Sequence, residues 1–137
     1  MVLRRDSSAD GGWRNIQDPG CTDELRGVWA APANDAGLEA VTVGTASDRS
    51  WMLRGGGWST TNPYGRGTLF SVWGTSPNNI YAAGEDGALS FFYGSEWGTI
   101  EIGTRGAIRS VRGRPLANGA TELILVGENA TVLRSTR

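Results

Sequence analysis

The sequence predicts an all-β fold made of three copies of a repeat of about 43 residues. Three series of landmarks support this prediction. In the first series, Leu25-Arg26-Gly27-Val28-Trp29-Ala30 reappears at residues 69–74 and, more degenerately, at residues 108–113, with spacings of 44 and 39 residues. The second series consists of Trp13, Trp58 and Trp97, and the third consists of the strand-ending glycines Gly44, Gly84 and Gly127. Because the three series keep the same order, chance is a poor explanation.

Each repeat contains four short runs of β-branched, aromatic and aliphatic residues, separated by Gly, Pro, Asn, Asp and Ser. This pattern is typical of short antiparallel strands joined by tight turns. In the second repeat we predict strands at residues 69–74, 80–84, 88–93 and 97–100, with a turn at residues 75–79. We also predict that Gly44, Gly84 and Gly127 are hairpin glycines with positive φ.

A repeated four-stranded unit of this length is typical of the blades of a β-propeller, because one small sheet cannot bury both of its faces alone. Alternation along the first run places Leu69, Ser71 and Trp73 on one face and residues 70, 72 and 74 on the other. We therefore predict a single propeller segment, with repeats at about 12–56, 57–95 and 96–137 and a leading partial blade at 1–11.

The similarity of the two ends indicates how the propeller is completed. Val2-Leu3-Arg4 matches Val132-Leu133-Arg134, so we expect the chain to begin and end in the third strand of a blade. Known propellers have about four to eight blades, so three cannot close a ring. We expect two copies to form a six-bladed, head-to-tail dimer with strand exchange; a segment of a longer natural propeller is the alternative.

Composition excludes several classes of function. The net charge of −1, from 13 basic and 14 acidic residues, gives no basic patch for nucleic acid. The sequence has no His and a single cysteine, Cys21, so we expect no zinc site, no cofactor and no His-dependent catalysis. We find no apolar stretch of membrane-spanning length and no signal peptide, which leaves the localisation undetermined.

Residues 71–89 resemble repeats of large bacterial propellers with the pattern S-V-W-G-x-S-P-x-D-V-Y-A-V-G. Such repeats occur in secreted or surface proteins of myxobacteria and in propellers related to the photosystem II assembly factor and the Asp-box group. The match is strong in the second repeat, fair in the first and degraded in the third, where Arg112 replaces Trp. The resemblance implies a recognition or assembly role, no fixed catalytic residue, and a parent protein that is secreted or on the cell surface.

The leading functional hypothesis is a non-catalytic scaffold that binds a protein or peptide through loops at one end of the ring. Its candidate contacts are Tyr64, Asn78, Asn79, Glu85 and Asp86, each of which could instead be a solvated turn residue. We do not expect an enzyme, because adjacent carboxylates on a strand point in opposite directions and cannot act together.

The alternative hypothesis is a lectin assembled from short chains. In that case Trp13, Trp58 and Trp97 stack on sugar rings in pockets between blades; otherwise these three residues fill the space between sheets. A third possibility is a self-assembling excerpt of a propeller without a selected ligand.

Overall fold

The computed structural model describes residues 3–5, 13–15, 22–33, 37–45, 50–63 and 67–137. These residues form short strands, one three-residue 3-10 turn (Glu85–Gly87) and no α-helix. Across the same ranges, no helix has the length and apolar character that a membrane span requires. The strands are β1 (Leu3–Arg5), β2 (Trp13–Asn15), β3 (Leu25–Pro32), β4 (Leu38–Gly44), β5 (Ser50–Arg54), β6 (Gly57–Thr61), β7 (Leu69–Ser76), β8 (Asn79–Gly84), β9 (Leu89–Phe92), β10 (Trp97–Thr99), β11 (Ile108–Pro115), β12 (Thr121–Gly127) and β13 (Val132–Thr136).

The strands pair antiparallel, each with its neighbour in sequence. Strands β1 and β2 form a two-stranded sheet, whereas β3–β6, β7–β10 and β11–β13 form the first, second and third sheets of four, four and three strands. The all-β prediction is confirmed, and β7–β10 lie within two residues of the four strands predicted in the second repeat. The turn after β7 is shorter than predicted, because Ser76 pairs with Asn79 and leaves only Pro77 and Asn78 between the strands.

The three larger sheets stack in chain order through their first strands, so that β3 contacts β7 and β7 contacts β11. Two hydrophobic cores fill the spaces between them. The first core lies between the first and second sheets and contains Val41, Val43, Met52, Leu69, Val72, Ile80, Ala82, Phe92 and Trp97. The second core lies between the second and third sheets and contains Tyr81, Ala83, Leu89, Ile108, Val111, Leu123 and Leu125. The second sheet is therefore covered by apolar side chains on both faces.

A β-bulge at the start of each first strand changes one predicted face. The pairing register shifts between Leu25 and Gly27, between Leu69 and Ser71, and between Ile108 and Ser110. The prediction that Leu69 shares a face with Trp73 is wrong: Leu69 packs in the first core, whereas Trp73 packs against the second. The extra residue of a bulge reverses the side on which the preceding side chain points.

The strand-ending glycines are required by close packing and not by positive φ, which corrects the prediction for Gly44, Gly84 and Gly127. Positive φ in the described residues occurs at other glycines, and Gly84 has an extended φ of −168°. A Cβ on any of the three would overlap the carbonyl oxygen that precedes the adjacent first strand, and on Gly84 it would lie 2.8 Å from Leu69 Cα. Only glycine allows the two backbones to approach this closely.

Each predicted repeat crosses from one sheet to the next. The repeat at 57–95 begins with β6, the last strand of the first sheet, and ends after β9, the third strand of the second sheet. The repeats are therefore offset from the sheets by one strand. The repeat boundaries themselves remain a prediction.

Candidate functional site

The predicted contact residues lie at two opposite ends of the second sheet. Asn79 begins β8, whereas Glu85 and Asp86 follow its last residue, Gly84. A six-residue strand is about 20 Å long, so these residues do not form one site. Tyr64 lies outside the described residues, as does Cys21.

Asn79 connects the second sheet to the third. Its Nδ2 donates a hydrogen bond to Thr121 Oγ1 over 3.1 Å, and the residue is half-buried. Asn78, in the adjacent turn, lies near the guanidinium of Arg54, which donates to the carbonyl oxygen of Pro77 over 2.6 Å. These contacts hold the turn between β7 and β8 against neighbouring sheets.

The turn that carries Glu85 and Asp86 has a defined left-handed backbone. Asp86 and Gly87 have φ values of 53° and 68°, and the Ala88 amide donates to the Glu85 carbonyl over 2.9 Å. The third sheet repeats this geometry at residues 128–131, where the Thr131 amide donates to the Glu128 carbonyl. Asp86 is exposed to solvent on this hydrogen-bonded turn.

The Glu85 carboxylate binds the backbone at the start of the second sheet. Its Oε2 accepts a hydrogen bond from the Thr68 amide, the last amide before β7, over 2.9 Å. Glu128 makes the same contact with the Ala107 amide, and the Thr45 hydroxyl accepts from the Glu24 amide in the first sheet. The residue after each strand-ending glycine thus supplies an oxygen to the start of the sheet, which assigns Glu85 a structural contact.

A shallow groove of about 170 Å³ lies beside this turn. Its walls come from residues 85–90, which comprise the turn after β8 and the start of β9, and from residues 99–101 at the end of β10. Asp86 and Glu101 are exposed on its rim, whereas Leu89 and Ser90 are buried at its base. The groove therefore has carboxylate hydrogen-bond acceptors at its rim above a mixed polar and apolar base, and carboxylate acceptors suit cationic or amide-rich ligands.

The ranges that the structure describes hold no cluster of three or more His, Cys, Asp or Glu side chains that could bind a metal ion.

The three repeated tryptophans have different environments. Trp97 is only 4% exposed, packs at 5.2 Å from the Phe92 ring, and donates from Nε1 to Thr61 Oγ1 over 2.7 Å. Its ring faces are covered and cannot stack on a sugar. Trp58 is half-buried, and Trp13 is 70% exposed on β2. The structure does not bring these tryptophans together into one site.

An ionic cluster on the third sheet was missed from the sequence. Glu122 Oε2 accepts a hydrogen bond from Arg114 Nε over 2.7 Å, and its Oε1 accepts one from Arg134 Nε over 2.7 Å. The hydrogen bond from Arg114, followed by that from Arg134, lowers the pKa of the Glu122 carboxyl. The three residues are on three adjacent strands, so only their pairing register could have revealed the cluster.

A scan against models of known protein families finds no match, and a search of curated proteins finds no significantly similar sequence.

Proposed function

We propose that this chain is one half of a six-bladed β-propeller, that two copies complete it head to tail, and that the closed ring is a non-catalytic scaffold for binding a protein or peptide. The observation that carries this proposal is the stacking of successive antiparallel sheets through their first strands. Sheets that stack in this way around an axis form a ring when enough of them are present.

The outer faces of the first and third sheets support completion by further sheets. Position for position, Val28, Val72 and Val111 occupy the same place on the first strands of the three sheets. Val72 and Val111 are 4% and 0% exposed because a preceding sheet covers them, whereas Val28 is 63% exposed. A valine that is buried at two of three equivalent positions indicates that the third also meets an apolar partner.

The outer face of the third sheet exposes an apolar residue whose equivalents on the other two sheets are buried. Ile124 occupies the position of Val41 and Tyr81, since each lies opposite the same residue of the first strand. Val41 and Tyr81 are 2% and 3% exposed, whereas Ile124 is 46% exposed. The described residues thus leave two unmatched apolar faces, one at each side of the stack, and these faces are complementary in a head-to-tail arrangement.

Two departures from the repeat favour contact between these particular faces. Trp29 of the first sheet lies on Gly74 of the second, where an added Cβ would be 3.1 Å from its ring. Trp73 of the second sheet lies on Gly113 of the third in the same way. The third sheet carries Arg112 in place of the tryptophan, and the first sheet carries Ala30 in place of the glycine. By strand register, both positions therefore belong to the two faces that the proposed junction joins, and the Arg112 guanidinium reaches back to Ser71 Oγ of the second sheet.

The proposed ligand-binding surface is the groove between the Glu85–Gly87 turn and residues 99–101. Its acceptors are Asp86 and Glu101, since Glu85 is held by the Thr68 amide. Rigid antiparallel sheets hold these turns, so the cost of ordering them on binding is small. Carbohydrate binding remains the alternative. The burial of Trp97 counts against a lectin in which Trp13, Trp58 and Trp97 all stack on sugar rings.

A peptide selection tests this function. We expect peptides selected on the wild-type protein to be rich in Arg, Lys or amide side chains. We expect the double variant Asp86→Asn and Glu101→Gln to bind these peptides at least about 10-fold more weakly, because hydrogen bonds to charged groups are lost. Glu96→Gln, at the opposite end of the second sheet, is the matched control. Selected peptides that bind the double variant as tightly as they bind the Glu96→Gln control would contradict the proposed surface. A positive glycan array without peptide binding would favour a lectin.

A further inference from the structure

A cavity of about 210 Å³ lies beside the outer edge of the third sheet. Its apolar lining comes from the second sheet, the segment after β10 and the third sheet: Leu89, Ile100, Ile102, Leu123, Leu125 and Leu133. All six belong to the second core or pack against it. Its polar lining consists of Glu101, Arg134, Ser135 and Arg137. Cavities of about 150 Å³ bind a benzene ring, so this cavity has room for an aromatic side chain.

The equivalent space between the first and second sheets is filled by a tryptophan. Trp97 projects from β10, the fourth strand of the second sheet, and packs in the first core. It pairs across the strands with Phe92, which in turn pairs with Ile80. Among the described residues the third sheet has no fourth strand, so the outer edge of β13 is unpaired and no residue takes the place of Trp97.

Trp13 occupies the same position in the repeat as Trp58 and Trp97, but its side chain is not buried. It lies on β2, pairs with Arg5 of β1, and is 70% exposed. Sheet edges and large exposed aromatic side chains are both unfavourable in an isolated chain, because they promote association.

We propose that β2 of a second copy pairs with the outer edge of β13 and that its Trp13 side chain fills the cavity between the second and third sheets. This inference rests on the proposed completion of the ring by a second copy and specifies the residue that secures it. The occupant is thus a strand of another copy of this chain, added by β-augmentation.

The pairing register agrees with this placement. The match between residues 2–4 and 132–134 makes Arg5, the present partner of Trp13, equivalent to Ser135. Ser135 pairs with Leu123, which lines the cavity, just as Phe92 pairs with Ile80 beside Trp97. A tryptophan opposite Ser135 therefore points into the cavity, and the small serine side chain leaves space for the indole.

The chain length after β2 also agrees. Seven residues connect β6 to β7, eight connect β10 to β11, and nine connect β2 to β3. A β2 strand that serves as the fourth strand of the third sheet can therefore continue into β3 as the first strand of the next sheet, as the other two connections do. In this arrangement β13 of one copy replaces β1, which has a similar sequence, as the partner of β2.

The test measures dimer affinity by analytical ultracentrifugation. We expect Trp13→Ala to raise the dimer Kd at least about 100-fold, because removing a buried aromatic side chain is costly and a closed pair has two identical junctions. Ser135→Trp, which fills the cavity from within one copy, is expected to weaken the dimer similarly. Tyr93→Ala, which removes an exposed aromatic side chain elsewhere, is expected to change the Kd less than about 3-fold.

A second measurement locates the Trp13 ring directly. In protein labelled with 5-fluorotryptophan, the resonance that is lost in Trp13→Phe belongs to this residue. We expect it to be accessible to a soluble paramagnetic probe in dilute monomer and protected in the dimer. A dimer in which Trp13 stays accessible and Trp13→Ala binds normally would overturn the inference and leave the proposed ring intact. A wild-type chain that forms no dimer would overturn both.

Discussion

At the residue scale, the strand-ending glycines illustrate why a correct sequence pattern can have a different physical cause. Gly44, Gly84 and Gly127 form a series visible in the sequence, and hairpin geometry was the natural interpretation. Their actual constraint is a close approach to the backbone of the first strand of the same sheet. That contact joins residues about 15 to 20 positions apart, so no local propensity could reveal it.

We expect Gly84→Ala to destabilise the fold by about 2–3 kcal/mol, because the added Cβ overlaps the Thr68 carbonyl and the backbone must move apart. Gly98→Ala is the matched control in the same sheet, since its nearest neighbour, Tyr93, is 3.8 Å from the added Cβ. Denaturant unfolding of the two variants measures the difference. Equal unfolding midpoints would contradict the close-approach explanation.

We expect Glu122 to make the stability of the fold depend on pH in the acidic range. Its pKa is lowered in the folded chain by Arg114 and Arg134, so the stability it contributes is present above the unfolded-state pKa of about 4.3 and is lost as pH falls through the lower folded value. The pKa of Glu128 is lowered too, chiefly by Arg109. We expect Glu122→Gln to show a shallower loss of stability below about pH 4.3 than the wild type.

The measurement is the denaturant midpoint as a function of pH for wild type, Glu122→Gln and Glu96→Gln. Glu96 lies between β9 and β10, away from the third sheet, and accepts a hydrogen bond from the Tyr93 hydroxyl. If Glu122→Gln follows the wild-type curve throughout the acidic range, the arginine contacts are not made in solution.

At the scale of elements, strand number and order within the repeat were predictable because alternating apolar residues and turn residues recur in each copy. The four strands of the second sheet were placed within two residues of their positions. The bulges were not predictable, since they depend on how β7 pairs with β8, and they moved Leu69 to the first core. The arrangement of the candidate site residues was not predictable from the sequence, because it depends on the pairing of distant strands: Asn79 lies at the opposite end of β8 from Glu85 and Asp86. The roles that we propose for Glu101 and Ser135 likewise depend on strand pairing.

The Trp–Gly contacts between sheets give a prediction for the proposed junction. In the proposed junction, the tryptophan of Arg112→Trp would face Ala30 of the next copy, where the two contacts within the chain have glycine. We expect this variant to weaken the dimer about 10- to 100-fold at each junction by overpacking. Arg112→Trp combined with Ala30→Gly recreates the internal arrangement, and we expect it to restore affinity.

Analytical ultracentrifugation of the single and double variants checks this expectation, with Ala30→Gly alone as the control. Independent effects of the two substitutions would contradict contact between these residues, because residues that touch are expected to show a coupling energy.

At the scale of the whole molecule, the equivalence between sheets provides the argument for a ring. At one position of the first strand, Val72 and Val111 are buried whereas Val28 of the first sheet is exposed. At one position of the second strand, Val41 and Tyr81 are buried whereas Ile124 of the third sheet is exposed. Exposed apolar faces and a free strand edge are unfavourable in an isolated chain. We propose that a second copy placed head to tail covers the faces and the edge together, and we therefore favour a closed pair over an open chain of copies.

The solution mass, measured by light scattering after size-exclusion chromatography, distinguishes a closed pair of chains from an isolated chain and from an open assembly. Each chain has a mass of 14.6 kDa, and we expect that above the dimer Kd the protein is one species of two chains whose mass does not grow further with concentration. A stable monomer across the accessible concentration range, or a mass that increases without limit, would contradict the closed pair.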